Sequence, residues 1–184
     1  MRERLSVAKY LELPESTTPT ELVWGVMREP PAPRYGHQSV VTSLGAVLHS
    51  HVRKLGLGVV CVSPIDVVLD ADRALVVQPD IVFVSAARKA IVRGQVWGAP
   101  DLVVEVLSPC TARRDRTVKL GWYRSYGVRE CWLVDPARRE VTVVPLAEGT
   151  RRRRARRFAG GMMVDSLVLG QLDTPTDEIF WNGS

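Results

Sequence analysis

Two carboxylates interrupt apolar segments of this sequence. Glu105 lies inside the apolar run DLVVEVL at residues 101–107, and Asp80 opens the run DIVFV directly after Pro79. A buried carboxylate is costly unless it is paired or bound to a metal. Acids at the ends of neighbouring strands can converge, and their oxygens favour Mg²⁺ or Mn²⁺ over zinc. The pair therefore predicts a metal site, although such acids also cap helices or pair with surface arginines.

A lysine and a third acid extend this constellation. Lys119 follows the Glu105 segment and lies four residues after Asp115, so the two share one face of a helix. Hydrolysis of a phosphodiester needs a cation that orients the nucleophile and offsets charge on the phosphoryl oxygens. This need makes Lys119 a catalytic candidate, with an ordinary ion pair to Asp115 as the alternative. Glu21 is a fourth candidate, either as a further metal contact or as an exposed acid at a strand start.

Basic residues near these acids are candidates for contact with nucleic acid. Arg113, Arg114 and Arg116 precede Lys119 in the same predicted helix. Their contacts with phosphates would make binding dependent on salt. His37 is a candidate base or phosphate contact, but it also suits the start of a helix.

The net charge of +5 comes from one segment. Six arginines lie within residues 151–157, and the remainder of the chain carries a formal charge of −1. The sequence is thus nearly neutral with one basic patch. A solvated strand face and a DNA contact explain this run equally well.

Length and composition bound the class of protein. The 184 residues, of which 46% are hydrophobic, predict one domain over 1–184 that starts with a short helix and loop at residues 1–18. Three cysteines without a CxxC pair predict neither a disulfide framework nor a zinc site. No long apolar stretch follows the N-terminus, so we expect no membrane association and a cytoplasmic location.

The periodicity of apolar residues predicts the elements that position these side chains. Residues 40–55 have helical spacing and end at Gly56, and residues 101–107 are typical of a central strand covered on both faces. The order of elements predicts an α/β or α+β fold, a mixed β-sheet flanked by helices. The other predicted helices cover residues 6–13 and 112–126, and the other predicted strands cover 21–28, 59–62, 66–69, 76–77, 80–84, 130–134, 141–146 and 151–158. Residues 177–181 form an apolar cluster at the tail.

Four strings carry a resemblance to a known family. They are ELVWG at 21–25, QPDIVFV at 78–84, GAPDLVVEVLSP at 98–109 and TARRDRTVKLGWYRSYGVRECWLVDP at 111–136. In this order they resemble the Uma-type (Uma2-like) family of putative restriction endonucleases, part of the PD-(D/E)xK nuclease superfamily. The resemblance spans about residues 20–180. It implies a restriction-endonuclease-like core, with a mixed sheet flanked by helices.

The resemblance assigns roles to the central residues. Asp80 matches the PD aspartate and Glu105 matches the second acid of the family motif. Leu107 occupies the strand position where a standard ExK motif has lysine. Lys119 matches a lysine that has moved to the following helix, from which its side chain can reach the same point.

Other positions match or depart from the family pattern. Glu21 matches an early glutamate, and His37 matches a histidine at a helix start. Trp24 stands where the family usually has an acid or a small polar residue, and the arginine run is heavier than expected. These departures concern contacts with the substrate and leave the central residues untouched.

The implied activity is endonucleolytic cleavage of DNA with Mg²⁺ or Mn²⁺. Asp80, Glu105 and the backbone carbonyl of Val106 would hold the ion. A homodimer is expected, because two sites are the simplest way to cut two strands. One alternative is a non-catalytic module on the same fold that binds nucleic acid or a protein partner. A metal-independent, glycosidase-like pair of carboxylates is a more remote alternative and gives Lys119 no role.

Overall fold

The computed structural model describes residues 4–14, 16–109, 111–147 and 154–180. Two six-stranded sheets and a separate hairpin are flanked by helices. This confirms the predicted mixed α and β class. The predicted strands divide between the two six-stranded sheets.

The predicted strand at residues 21–28 is wrong, because this segment is a hairpin. Strand β1 (Glu21–Val23) pairs antiparallel with β2 (Val26–Arg28). Trp24 and Gly25 form the turn, with φ of 53° and 81°. Two successive residues with positive φ suit a two-residue hairpin turn. The unusual Trp24 is therefore a turn residue.

Two of the predicted helices form with nearly the expected bounds. Helix α1 (Val7–Leu11) is capped by Ser6, whose hydroxyl accepts the backbone N–H of Lys9 at 3.3 Å. Helix α2 (Tyr35–Leu55) ends at Gly56, which has the left-handed φ of 63° that favours glycine there. The buried face of α2 carries Val40, Val41, Leu44, Gly45, Leu48, His51 and Val52.

In the described part of the chain, twelve further strands complete the sheets. They are β3 (Gly58–Val62), β4 (Val67–Asp70), β5 (Leu75–Val77), β6 (Ile81–Ser85), β7 (Val92–Arg93), β8 (Gln95–Trp97), β9 (Leu102–Val106), β10 (Glu130–Asp135), β11 (Glu140–Pro145), β12 (Arg156–Phe158), β13 (Met163–Ser166) and β14 (Gly170–Pro175). The first sheet has the order β2-β1-β5-β4-β8-β7, and the second has the order β12-β11-β10-β9-β6-β3.

Strand β9 is the central strand that the sequence predicts. It runs parallel to β10 and antiparallel to β6, and all five of its residues are buried. Side chains alternate between the faces of a strand. Glu105 therefore shares a face with Val103 and Leu107, which pack in the core between the two sheets.

The predicted helix over residues 112–126 forms with an unpredicted irregularity. It consists of α3 (Ala112–Arg114), a π-helical turn (Asp115–Lys119) and α4 (Leu120–Tyr126). Short π-helical insertions are rare and are frequent at functional sites. Here the turn contains Asp115 and Lys119, both of them buried.

Three hydrophobic clusters show how the elements are layered. Helix α2 and the C-terminal elements cover one face of the second sheet. The other face packs against the first sheet and α4, and α1 covers the far side of the first sheet. Among the described residues, no helix has both the length and the hydropathy needed to cross a bilayer.

The C-terminal part differs most from the sequence prediction. The predicted strand at 151–158 is described only as β12, since residues 151–153 lie outside the described part of the chain. The β13–β14 hairpin is not foreseen. Helix α5 (Thr176–Ile179) follows, and Ile179 and Phe180 are buried as the predicted tail cluster requires, while Trp181 lies outside the described residues. The segment Ala86–Ile91 is a 3₁₀ helix.

Candidate active site

The predicted acids and lysine meet in one cleft of about 480 Å³. The cleft lies where the start of β6, the end of β9, the start of β1, the start of α2 and the π-helical turn come together. The predicted site residues that line it are Glu21, His37, Asp80, Glu105, Val106, Arg114 and Lys119. In the described part of the chain, Arg113 and Arg116 are not in the lining.

Asp80 is tied to the strand that carries Glu105. Its Oδ2 accepts the backbone N–H of Val106 at 2.7 Å, so the carboxylate sits beside β9, one residue beyond Glu105. The Nε2 of His37 lies 3.4 Å from the same oxygen. One fifth of the Asp80 side chain is exposed to the cleft. The convergence of the two strand ends, which the sequence predicts, is therefore present.

Glu105 is buried, and its pairing with Lys119 does not fully offset the effects of burial and of the neighbouring carboxylates. Its Oε1 accepts Lys119 Nζ at 2.8 Å and also the hydroxyl of Tyr123. Burial raises the pKa of Glu105 to about 8; Lys119 opposes this shift, and the charges of Asp115 and Asp80 add to it. The ionised form of Glu105 is thus disfavoured unless further positive charge enters the cleft.

Lys119 lies at the centre of three carboxylates. Its Nζ is 2.8 Å from Glu105 Oε1, 3.1 Å from Glu21 Oε1 and 4.0 Å from Asp115 Oδ1. Burial lowers the pKa of Lys119, but the charges of the three acids outweigh burial and raise it. Lys119 therefore stays a cation. The pair with Asp115, offered as the ordinary explanation, is the longest of its three contacts.

Glu21 is buried rather than exposed, so the interpretation as an exposed acid is wrong. Its Oε1 is the oxygen near Lys119, and its Oε2 accepts Arg114 Nη1 at 2.5 Å. Burial raises the pKa of Glu21, but the charges of Lys119 and Arg114 outweigh burial and lower it. Glu21 thus holds two cations at the cleft.

The two terminal nitrogens of Arg114 differ: Nη1 donates to Glu21, whereas Nη2 has no partner among the described residues. Its guanidinium lies 5.4 Å above the ring of Trp122, which in turn meets Trp24 edge-on at 5.9 Å. Its Nη2 is also buried, and Arg114 is one of the residues that line the cleft. A fixed guanidinium with an unused donor suits an anionic oxygen of a ligand.

The remaining basic candidates differ in their surroundings. Burial lowers the pKa of His37, but hydrogen bonding to Asp80 and the charge of Asp80 outweigh burial and raise it. Arg116 Nη2 is 3.2 Å from Asp135 Oδ2 on the surface, and Arg113 is exposed on α3. His37 is therefore inside the predicted site, while Arg113 and Arg116 lie outside the cleft.

The described part of the arginine run, at residues 154–157, does not line this cleft. Arg156 Nη1 is 2.5 Å from Asp165 Oδ2, and Arg157 Nε is 3.8 Å from Glu140 Oε1. Both arginines belong to the edge strand β12. A solvated strand face with ion pairs therefore accounts for these two residues, and residues 151–153 lie outside the described part of the chain.

The acids of the cleft fit a magnesium ion better than a metal that needs many protein ligands. No group of three or more His, Cys, Asp and Glu side chains is arranged to hold a metal among the described residues. Mg²⁺ keeps several waters and usually takes one or two protein carboxylates. Asp80, Glu105 and the carbonyl of Val106 make a donor set of that size. Among the described residues, the lining carries four carboxylates against three permanent cations, so a bound cation would reduce its excess negative charge.

Sequence reasoning missed Tyr123, which is fully buried and donates its hydroxyl hydrogen bond to Glu105. The available signal was its position four residues after Lys119, which places both residues on one face of a regular helix. The support that Trp122 gives to Arg114 had no comparable signal, because it depends on how the helix packs.

The sequence and the fold are both similar to known proteins. Residues 7–176 match the family described as Uma2, putative restriction endonuclease. The fold resembles the crystal structure of a putative nuclease belonging to DUF820 from Anabaena variabilis, with a TM-score of 0.73 and 19% identity over 96% of this chain and 97% of that chain. At this identity the likeness shows the fold alone. No curated protein matches the sequence.

Proposed function

Because the chain belongs to the Uma2 family of putative restriction endonucleases, we propose that it is a magnesium-dependent endonuclease that hydrolyses phosphodiester bonds of DNA. The observation that carries this proposal is the crowding of Glu21, Glu105 and Asp115 around one buried lysine, in a cleft that Asp80 also lines. A structural ion pair needs one acid for each base. An excess of acids at an open cleft favours the binding of a cation.

In this proposal Asp80, Glu105 and the Val106 carbonyl hold Mg²⁺ or Mn²⁺. When bound, such an ion lowers the pKa of a water ligand and neutralises charge on the phosphoryl group. The hydrogen bond from the Val106 N–H fixes the carboxylate of Asp80, and Tyr123 fixes that of Glu105. Both ligands are thus oriented before an ion arrives.

Lys119 acts in this proposal as a permanent cation and hydrogen-bond donor. Its raised pKa excludes a role as the base that removes a proton from water at neutral pH. It instead orients the attacking water and offsets charge on the phosphoryl oxygens in the transition state. Glu21 holds the ammonium group in place, which makes Glu21 a positioning residue.

Four basic residues receive the DNA backbone in this proposal. The unused Nη2 of Arg114 binds a phosphate oxygen inside the cleft, and His37 binds near Asp80. Arg113 and Arg116 extend the contact over the adjoining surface. Such contacts make binding fall with rising salt concentration.

The proposal is tested by incubating purified protein with plasmid and oligonucleotide DNA in Mg²⁺, Mn²⁺ or EDTA. We expect cleavage only with a divalent ion, and loss of cleavage in Asp80→Asn, Glu105→Gln and Lys119→Ala. The matched control is Asp173→Asn, which neutralises an exposed acid that pairs with Lys54. Cleavage that survives equally in all variants contradicts the proposed site, and binding without any cleavage favours the non-catalytic module.

A further inference from the structure

The cleft combines a charged floor with apolar walls. Six of the twelve prolines of the chain line it, and these are Pro19, Pro30, Pro31, Pro33, Pro109 and Pro136. The proline ring fixes φ, so segments rich in proline make a stiff wall. Glu105 and Lys119 at the floor are only 3% and 5% exposed, so a reacting phosphate must pass these walls.

The walls are complementary to an unpaired nucleotide. In a duplex the faces of the bases are stacked inside the helix, and the outside presents phosphates and base edges. An unpaired base exposes an apolar face that can contact the proline rings. The cleft volume of about 480 Å³ lies within the range of sites that enclose one small molecule, about 300–1,000 Å³. It suits one nucleotide rather than two paired strands.

An exposed aromatic residue lies in sequence between two residues that line the cleft. Tyr35 is the first residue of α2, its side chain is 77% exposed, and its neighbours Arg34 and Gly36 line the cleft. Aromatic side chains in grooves for single strands stack on bases without regard to sequence. At the floor, the unused Nη2 of Arg114 offers a donor for the phosphate of the same strand.

From these contrasts we propose that the cleft takes a single, unpaired DNA strand, with Tyr35 stacking on a base beside the scissile phosphate. The inference rests on the proposed function and narrows its substrate. An intact duplex is then a poor substrate, whereas single strands and unpaired regions within a duplex are good ones. One cleft suffices for one strand, so this activity does not require the homodimer expected for cutting both strands.

The test compares three labelled substrates of one sequence: a single strand, a blunt duplex and a duplex with an internal unpaired bubble. With Mn²⁺ we expect the single strand and the bubble to be cut at least about tenfold faster than the duplex, since stacking on one aromatic contributes about tenfold or more in binding. Tyr35→Ala should lower kcat/KM on the single strand by about tenfold, chiefly through KM. Tyr35→Phe should keep the wild-type value, because stacking needs the ring and not the hydroxyl.

Leu55→Ala is the matched control, because Leu55 is a large side chain, 54% exposed, at the opposite end of α2. Equal cutting of duplex and single strand, or wild-type activity in Tyr35→Ala, overturns the inference. Binding measured by fluorescence anisotropy with Ca²⁺ in place of Mn²⁺ separates the two proposals. If no substrate is cut, the proposed function fails. In that case the inference is supported if the protein binds the single strand more tightly than the duplex and Tyr35→Ala weakens this binding. It is overturned if the protein binds both substrates equally.

Discussion

Two buried glutamates on neighbouring strands have opposite surroundings. Glu130 on β10 is fully buried; its Oε1 accepts Trp132 Nε1 at 2.8 Å and the Ser166 hydroxyl at 2.5 Å, and its Oε2 accepts the Leu167 N–H at 2.8 Å. All three donors are neutral, and two of them come from the C-terminal hairpin. Glu130 therefore fastens that hairpin to the second sheet.

Glu105 on β9 has fewer donors and more competitors. It faces one lysine and one tyrosine hydroxyl, and the negative charges of Asp80 and Asp115 act against its ionisation. It also lines a cleft, which Glu130 does not. A buried carboxylate whose oxygens all accept hydrogen bonds from the protein has a structural role. A carboxylate that is crowded by other carboxylates in a cleft favours binding a cation from solution.

The largest expected effect comes from removing the charge of Glu105. Glu105→Gln should lower kcat by about a thousandfold, equal to about 4 kcal/mol of transition-state stabilisation, because it removes a proposed ligand of the metal. Its midpoint of thermal unfolding should not fall, since burial disfavours the ionised form of Glu105 and glutamine keeps the shape of the side chain. Cleavage rates and thermal unfolding of the same preparation check both halves, and a large fall in midpoint with unchanged kcat would reverse the assignment.

The converse is expected at Glu130. Glu130→Ala leaves the donors of Trp132, Ser166 and Leu167 without partners and should destabilise the fold by about 3 kcal/mol. For a chain of this length that corresponds to a fall of about 6–12 °C in Tm. Affinity for Mn²⁺, measured by calorimetry below the transition, should not change. A variant that keeps its Tm but loses Mn²⁺ would contradict this account.

Asp101 is a second buried acid with a structural role, and unlike Glu130 it is paired with cations. Its Oδ2 accepts the Ser85 N–H at 2.8 Å, and its Oδ1 lies 3.1 Å from Arg129 and 3.3 Å from Arg88. Burial raises the pKa of Asp101, but these donors outweigh burial and lower it. Stability from this ionised group is therefore present above its unfolded pKa, about 3.9, and is lost as pH falls through the lower folded value.

Asp101→Asn should accordingly cost about 2 kcal/mol at neutral pH through weakened charge-assisted hydrogen bonds. The difference from wild type should shrink as pH falls below about 4. Urea unfolding across the acid range measures this difference. A difference in unfolding free energy that stays constant down to the lowest pH would contradict the conclusion that the folded protein stabilises the ionised form of Asp101.

The smallest expected effect is at Tyr123. Tyr123→Phe removes the hydroxyl that binds Glu105 and keeps the buried ring, so the fold should survive. Residues that orient metal ligands typically contribute about tenfold or more in affinity, so Mn²⁺ binding should weaken about tenfold. The matched control is Tyr126→Phe on the same helix, which removes a hydroxyl that donates to Asp70 on β4. Equal Mn²⁺ affinity in both variants would show that Tyr123 is a core residue only.

The sequence predicts much of this site because its signals are local. The position of Glu105 inside an apolar run, and the family resemblance at Asp80 and Lys119, identify three of the side chains that line the cleft. Glu130 also begins an apolar run, yet sequence alone does not reveal its structural role. Two of its three partners come from residues 166–167 of a hairpin whose pattern is too weak to predict. Such long-range pairing depends on packing rather than on propensity.

Other misses have similar physical causes. The Trp24–Gly25 turn lies within a segment that alternates like one strand, and only its positive φ values divide that segment. The π-helical turn at Asp115–Lys119 leaves no mark on apolar spacing over so few residues. The alternative that Glu21 is an exposed acid fails, and sequence spacing could not exclude it because its partner Arg114 lies 93 residues later in the chain.

The central claim is tested most directly by titrating the protein with Mn²⁺ and following binding by calorimetry and by the electron paramagnetic resonance of the free ion. The account predicts one site per chain that weakens at least about tenfold in Asp80→Asn and in Glu105→Gln and is unchanged in Glu130→Gln. Equal Mn²⁺ binding by wild type, Asp80→Asn and Glu105→Gln, or its loss in Glu130→Gln alone, would contradict it.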